Sequence, residues 1–136
     1  MIKRTSLLLF TILILSIIFI SCKKFDTTAT TVEKTGTYTS IDPILGQEYK
    51  LQVETTATSI TIGILDSTGN AIIGTTPETI DKLYQETGST NNYSFQNGVM
   101  SGNFSILSTD QIKISFVRNT PPYLSVRDII CTANNP

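Results

Sequence analysis

The sequence predicts an all-β domain, an antiparallel meander of about 7–8 strands that forms a small barrel or a sandwich. Three observations support this fold class. Apolar and polar residues alternate with a period of two over much of the chain beyond residue 36, which is typical of half-buried strands. Short groups of Gly, Asn, Asp and Ser separate these stretches, as turns do. Threonine is abundant, and it favours strands over helices.

The first strand is expected to begin near Gly36, and two regular strands follow it. Apolar residues at 49, 51 and 53 alternate with polar ones, and Ile60, Ile62 and Ile64 do the same. Residues 66–70, Asp-Ser-Thr-Gly-Asn, then predict a hairpin loop that leads into a further strand over 71–75.

One segment departs from the period of two. Thr76 suits a helix N-cap, Pro77 suits the first helical position, and Glu78 places an acid in the first turn. Apolar residues at 80, 83 and 84 follow at helical spacing, and Gly88 suits the position just past a helix end. We therefore predict a short helix over 77–87, with another strand as the alternative.

Two neighbouring hairpins predict mutually consistent registers. Asn97-Gly98 favours a type I′ turn, in which both central residues have positive φ. The first register is Gln96 opposite Val99, Phe95 opposite Met100 and Tyr93 opposite Gly102. The second is Ile106 opposite Ile112, Phe104 opposite Ile114 and Gly102 opposite Phe116. Because both place large apolar side chains on one face, we predict three consecutive strands that share a core of Phe95, Met100, Phe104, Ile114 and Phe116.

The last strand is expected over residues 123–131, after Pro121-Pro122 breaks the chain. Leu124 and Val126 lie on one face, whereas Ile129 and Ile130 are adjacent, and a β-bulge or a sheet edge would explain this change of parity. Cys131 at its end is interpreted as a small buried hydrophobic residue, because the chain has no histidine to activate a thiol.

The N-terminal segment carries a targeting signal. Lys3 and Arg4 precede an apolar run from Leu7 to Ile20, which is too short to span a bilayer comfortably but suits a signal peptide. The run ends in Phe-Ile-Ser before Cys22. This resembles the lipobox of bacterial lipoproteins, although the residues at 19 and 20 are bulkier than the usual Leu-Ala. The resemblance implies cleavage before Cys22, and lipidation of its sulfur and amine would give stable membrane anchoring.

These features predict the domain organisation. Residues 1–21 are the lipoprotein signal peptide, 22–35 are the lipidated Cys22 and a flexible Thr-rich tether, and 36–136 are a single β-rich domain. Lys3 and Arg4 would leave with the signal, so the mature chain would keep 8 basic and 11 acidic residues, a net charge of −3. This balance argues against nucleic-acid binding.

The predicted first strand carries a second resemblance. Gly36-Thr37-Tyr38 is similar to the Gly-x-Trp that opens lipocalins, with Tyr in place of Trp. The resemblance implies a small up-and-down barrel, and it transfers no ligand residues to this chain.

No residue set forms a catalytic, cofactor or metal motif. The absence of histidine excludes His-based triads and His-rich metal sites, and one mature thiol cannot build a thiolate zinc site. Glu78, Asp81 and Glu86 are interpreted as solvated acids of the predicted helix. Asp66 and Asp110 are interpreted as turn residues, and the 66–70 loop has too few oxygen ligands for calcium.

Arg118 continues the even spacing of the apolar residues at 112, 114 and 116. Two interpretations follow: an inward arginine at the mouth of a barrel, able to hold an anion, or a residue beyond the strand end that reaches water. We favour the second. The aromatic residues Tyr93, Phe95, Phe104 and Phe116 are likewise interpreted as core rather than as the lining of a ligand cavity.

The sequence therefore predicts a lipid-anchored, extracytoplasmic protein of the bacterial cell envelope, in the outer rather than the inner membrane. Its expected role is that of a non-catalytic binding or interaction module without a cofactor, which meets an envelope protein, a glycan or a small ligand. The alternatives are an envelope enzyme that uses carboxylate or Ser chemistry and a lipocalin-like carrier of a small hydrophobic ligand.

Overall fold

Alternating apolar and polar side chains form nine β-strands and no helix in the part of the chain that the structure, a computed structural model, describes: residues 30–46, 48–72 and 76–134. The predicted signal peptide, Cys22 and the first residues of the predicted tether lie outside these ranges. The strands are β1 (Gly36–Ser40), β2 (Lys50–Thr55), β3 (Ile60–Leu65), β4 (Glu78–Ile80), β5 (Leu83–Gln85), β6 (Asn92–Gln96), β7 (Met100–Ile106), β8 (Gln111–Arg118) and β9 (Leu124–Ala133).

The strands form one antiparallel meander that curls into a nearly closed barrel. Their order is β4-β3-β2-β1-β9-β8-β7-β6-β5, and every hydrogen-bonded pair is antiparallel. Although β4 and β5 lie at opposite ends of this order, only Asp81 and Lys82 separate them in the chain. Eight successive antiparallel pairings connect them, so both run in the same direction. They therefore act as two halves of one broken strand that joins β3 to β6.

The predicted helix over 77–87 is wrong, and the alternative of a further strand is correct. This region contains β4 and β5, and the buried Ile80 and Leu83 both belong to the core. The break at residues 81 and 82 lies between them, which produces an i, i+3 spacing without a helix. The N-cap pattern at Thr76 and Pro77 precedes a strand because pairing with β3 and β6 outweighs weak local propensity.

The two predicted registers have different outcomes. The β7–β8 register is confirmed, with Ile106 opposite Ile112, Phe104 opposite Ile114 and Gly102 opposite Phe116. The β6–β7 register is wrong by two residues, since Phe95 pairs with Gly102 and Tyr93 with Phe104. A shift of two leaves every side chain on its face. The predicted core residues are accordingly all buried: Phe95, Met100, Phe104, Ile114 and Phe116.

The side chain of Asn97 explains the shifted register. Its Oδ1 accepts hydrogen bonds from the backbone N–H groups of Val99 (2.9 Å) and Met100 (2.7 Å), and its own N–H donates to the Met100 carbonyl at 2.9 Å. Neither Asn97 nor Gly98 has a positive φ, so the predicted type I′ turn is wrong. The side-chain bonds favour a longer loop, which moves the pairing two residues along the strands.

The last strand contains a β-bulge, as the change of face between Val126 and Ile129-Ile130 suggested. The pairing between β8 and β9 shifts between Ile114 and Phe116, and β9 has one more residue than β8 in this interval. Asp128 in the bulge has a φ of 51°, and its N–H donates to the Ser115 hydroxyl at 2.8 Å. The extra residue places both Val126 and Cys131 on the core face.

The predicted strand over 71–75 is described only at its start, where Ala71 forms an isolated bridge with Leu65.

One end of the barrel is covered by the chain that precedes β1. We define the lower end as the end where β1 begins and the upper end as the end where β1 stops. The backbone N–H groups of Thr30 and Val32 donate to Leu83 O (3.0 Å) and Ala57 O (2.8 Å), respectively. The Val32 side chain is only 3% exposed and belongs to the core. The packed unit therefore extends at least to residue 30 and includes part of the segment predicted as tether.

Candidate functional site

A small cavity opens at the upper end of the barrel, where β8 ends and β9 begins. Its volume is about 20 Å³, enough for one water-sized group. Its walls are mostly apolar and come from β3, β7, β8, β9 and the loops that join them at this end. The lining residues are Ile62, Gly63, Ile64, Thr76, Met100, Phe116, Arg118, Pro122 and Leu124.

Arg118 supplies the charge in this cavity. It is the last residue of β8 and lies opposite Met100 on β7 and Leu124 on β9, both of which also line the cavity. It thus continues the inward face of β8 that begins with Ile112. The favoured sequence interpretation is wrong in placing Arg118 beyond the strand end, whereas its expectation that the side chain reaches water agrees with the partial exposure of the residue. The alternative of an inward arginine at the barrel mouth describes its position.

The Arg118 guanidinium has no hydrogen-bond partner among the residues of the described ranges. Its Nε is buried and unpaired, whereas the residue as a whole is partly exposed, which leaves the Nη groups as its accessible end. An unpaired buried donor costs about 1–3 kcal/mol, more when the group is charged. The apolar wall therefore leaves Nε without a partner, while the accessible Nη groups keep contact with solvent.

The rim of the cavity is held by a backbone contact between two loops and carries an exposed aromatic ring. The N–H of Asn119 donates to the Val99 carbonyl at 2.8 Å and joins the loop after β8 to the loop before β7. Tyr123 follows Pro122, a wall residue, and is 75% exposed. Exposed tyrosines are typical of recognition surfaces because the ring is both apolar and able to form hydrogen bonds.

The acids considered in the sequence do not converge on one point. Asn97 Nδ2 donates to Glu78 Oε1 at 2.8 Å, and Asn92 Nδ2 donates to Glu86 Oε2 at 2.9 Å, so both carboxylates hold neighbouring turns. Asp81 is exposed between β4 and β5. Within the described ranges, no group of three or more His, Cys, Asp or Glu side chains lies close enough to hold a metal ion.

The loop over residues 66–70 uses its aspartate for the turn itself. Asp66 Oδ1 accepts hydrogen bonds from the N–H (2.8 Å) and hydroxyl (2.6 Å) of Thr68 and from the N–H of Asn70 (3.0 Å). These bonds, chiefly the one from the Thr68 hydroxyl, lower the pKa of Asp66. The carboxylate that calcium would need is thus engaged in local hydrogen bonds. Asp110 lies in the exposed loop between β7 and β8.

Cys131 is fully buried on β9, where it pairs with Ile112 on one side and Ser40 on the other. Burial raises the pKa of its thiol to about 12. A thiol in this state is neither nucleophilic nor a ready metal ligand at neutral pH. Cys22, the predicted site of lipidation, lies outside the described residues.

The aromatic residues form core, and one of them also borders the cavity. Tyr93 and Phe104 stack with ring centroids 5.0 Å apart, and Phe95 lies 6.5 Å from Phe104. Phe116 is buried in the same core and forms part of the cavity wall. The even spacing of residues on β8 was the sequence signal that Arg118 faces inward. No such signal marked Met100 and Pro122, which line the cavity only because β7, β9 and the loop after β8 come together there.

Comparisons of the chain with protein-family models, with curated proteins and with solved structures find no significant match. Among the described residues there is no helix of the length and apolarity that crossing a bilayer requires.

Proposed function

We propose that this protein is a bacterial envelope lipoprotein, anchored through lipid on Cys22, whose barrel acts as a non-catalytic binding or interaction module. The observation that carries this proposal is the contrast, within the described residues, between a core of buried side chains and an apolar mouth at the upper end that contains an arginine without a hydrogen-bond partner. A filled barrel offers a partner its surface and its mouth rather than an internal chamber.

The size of the cavity argues against the carrier alternative. Sites that enclose small molecules usually measure about 300–1,000 Å³, whereas the cavity at the upper mouth measures about 20 Å³. Large side chains of the described residues are packed into the interior, among them Tyr93, Phe95 and Phe104, each at most 2% exposed. A hydrophobic ligand of ordinary size would have to displace this core.

An anchor at Cys22 would leave the upper mouth accessible. The described chain reaches the barrel at its lower end, where Thr30 and Val32 are hydrogen-bonded. Cys22 precedes Thr30 by eight residues, a span of at most about 29 Å. Lipid at Cys22 would hold the lower end towards the membrane and concentrate the upper mouth near envelope partners.

Metabolic labelling with a fatty acid tests the anchor. The wild-type protein should take up label, and Cys22→Ser should remain an unlabelled precursor because it has no sulfur to alkylate. Cys131→Ala is the matched control, since it removes the other cysteine and should leave labelling unchanged. An unlabelled wild-type protein, or equal labelling of Cys22→Ser, would refute the lipoprotein proposal.

A capture experiment tests the binding role. The full-length protein, extracted in mild detergent, should retain a partner from solubilised envelopes and show no turnover in screens for ester, glycan and peptide hydrolysis. Turnover that disappears when Glu78, Asp81 or Glu86 is neutralised would favour the enzyme alternative. Loss of the partner on changing an exposed residue such as Tyr123, with folding retained, would support the interaction module.

A further inference from the structure

We propose that Arg118 anchors a carboxylate-binding site in the upper mouth of the barrel, and that the ligand is a carboxylate carried on a short apolar group. This inference rests on the proposed binding function and specifies the ligand chemistry that the module would take. It follows from three properties of the mouth: the state of the guanidinium, the composition of the wall and the volume of the cavity.

The state of the guanidinium calls for an anion. Arginine stays protonated at all ordinary pH values, so the charge of Arg118 cannot be relieved by losing a proton. The described part of the chain offers this side chain no hydrogen-bond or ion-pair partner. Apolar neighbours such as Met100 and Leu124 lower the local polarity, which strengthens the attraction of any anion that reaches the accessible Nη groups.

The geometry of the guanidinium suits a carboxylate or a phosphate, and its single charge selects the carboxylate. Its two Nη groups donate in parallel and match the two oxygens of a carboxylate in a bidentate pair. A single guanidinium also balances one negative charge. A phosphate dianion would leave a second charge against apolar walls such as Ile64 and Leu124, where it would be costly to desolvate.

The cavity limits what the carboxylate can be attached to. Its volume of about 20 Å³ admits a group of about one methyl or water in size beside Arg118. The remainder of the ligand would therefore lie on the rim, near Pro122 and the exposed Tyr123. Two sources supply this chemistry: a free short-chain carboxylic acid, and the C-terminal residue of a polypeptide with an apolar side chain.

The test follows the arginine side-chain signals of the full-length, ¹⁵N-arginine-labelled wild-type protein in non-ionic detergent by NMR, and isothermal titration calorimetry measures the affinity of the wild type and of each variant. Sodium butyrate is titrated against butyramide, which has the same chain without the charge. A pentapeptide of four alanines and a C-terminal valine is titrated as the free acid and as the amide. Inorganic phosphate at matched ionic strength is the third arm.

Arg118→Met removes the charge and keeps an unbranched apolar side chain, and Arg118→Lys keeps the charge without the bidentate geometry. Arg127→Met is the matched control, because Arg127 is an exposed residue of the neighbouring β9. Far-UV circular dichroism and protection of the buried Cys131 thiol establish that each variant is folded.

We expect saturable shifts of the Arg118 signals with butyrate or with the free-acid peptide, and none with butyramide or the peptide amide. Arg118→Met should weaken binding at least about tenfold, since charge-assisted hydrogen bonds are lost. Arg118→Lys should bind with intermediate affinity, and Arg127→Met should bind as the wild type does. Whichever acid binds more tightly identifies the source of the carboxylate.

Three results would overturn the proposal: equal shifts at Arg127, unchanged binding by Arg118→Met, or phosphate binding at least as tight as that of either carboxylate. The capture experiment with solubilised envelopes distinguishes failure of the carboxylate site from failure of the proposed binding function. If the titrations refute the carboxylate site while wild type and Arg118→Met retain the same partner equally, the interaction module stands. If the wild type retains no partner and hydrolyses a substrate, the proposed function fails whatever the titrations show.

Discussion

The two ends of the barrel differ in how their polar groups are satisfied. At the lower end, the segment before β1 forms hydrogen bonds through Thr30 and Val32, and the Thr55 hydroxyl donates to the Lys34 carbonyl at 3.1 Å. The Tyr93 hydroxyl donates to the Thr90 carbonyl at 3.0 Å. At this end, buried polar groups have partners and an apolar side chain, Val32, fills the opening.

The upper end keeps features that a structure selected for stability alone would avoid. Arg118 Nε is buried without a partner, and Tyr123 is largely exposed. Leu45, in the loop between β1 and β2, has a φ of 53°, a conformation that is unfavourable for a branched side chain. Strain and unpaired polar groups cluster at functional sites. The comparison indicates that the lower end stabilises the fold, and it supports the proposal that the upper end serves recognition.

The largest expected effect tests the core beside the lower end. Phe104→Ala removes the ring that contacts both Tyr93 and Phe95 and should lower the free energy of unfolding by about 3–5 kcal/mol. Tyr123→Ala at the upper rim should change it by less than about 0.5 kcal/mol. Urea denaturation of both variants measures the difference, and a similar loss in each would remove the contrast between the two ends.

Val32 tests whether the segment before β1 is part of the fold. Val32→Ala should lower the free energy of unfolding by about 2 kcal/mol, through lost burial and the cavity left behind. Thr31→Ala, at the exposed neighbouring position, should be nearly neutral. Equal denaturation midpoints for the two variants would show that residues 30–35 are a tether, as the sequence suggested.

The Cys131 thiol gives the core a measurable pH dependence. Burial raises its pKa from 9.0 to about 12, so between these values the unfolded chain loses a proton that the folded chain keeps. Stability should therefore fall as pH rises through this window, by about 1.4 kcal/mol between pH 8 and pH 10. Denaturation of wild type and Cys131→Ala at both pH values isolates the effect. Parallel pH profiles would contradict it.

The smallest expected effect has the opposite sign and concerns the upper end. Arg118→Met should raise the free energy of unfolding in ligand-free buffer by about 1 kcal/mol, because it removes an unpaired buried donor and keeps an apolar stem. Arg127→Met, on the exposed side of β9, should stay within about 0.5 kcal/mol of the wild type. Destabilisation by Arg118→Met would show that the arginine supports the fold rather than a site.

Predictions from the sequence succeeded where one strand's pattern was enough. The even spacing on β8 identified its buried face, and the short connection before it specified the β7–β8 register. They failed where one local residue pattern fits two different backbone conformations. The spacing of Ile80 and Leu83 fits both a helix turn and a broken strand, and Asn97-Gly98 fits both a tight turn and the longer loop that side-chain hydrogen bonds favour.

The sequence by itself determined the all-β class and the buried face of the regular strands, because a period of two places alternate residues on opposite faces whatever the register. Only the tertiary structure decided how the barrel closes and what lies at its ends. Closure depends on pairing β4 with β3 and β5 with β6. The surroundings of Arg118 depend on the approach of β3, β7 and β9. The contacts around Arg118 join residues far apart in the chain, which no local pattern encodes.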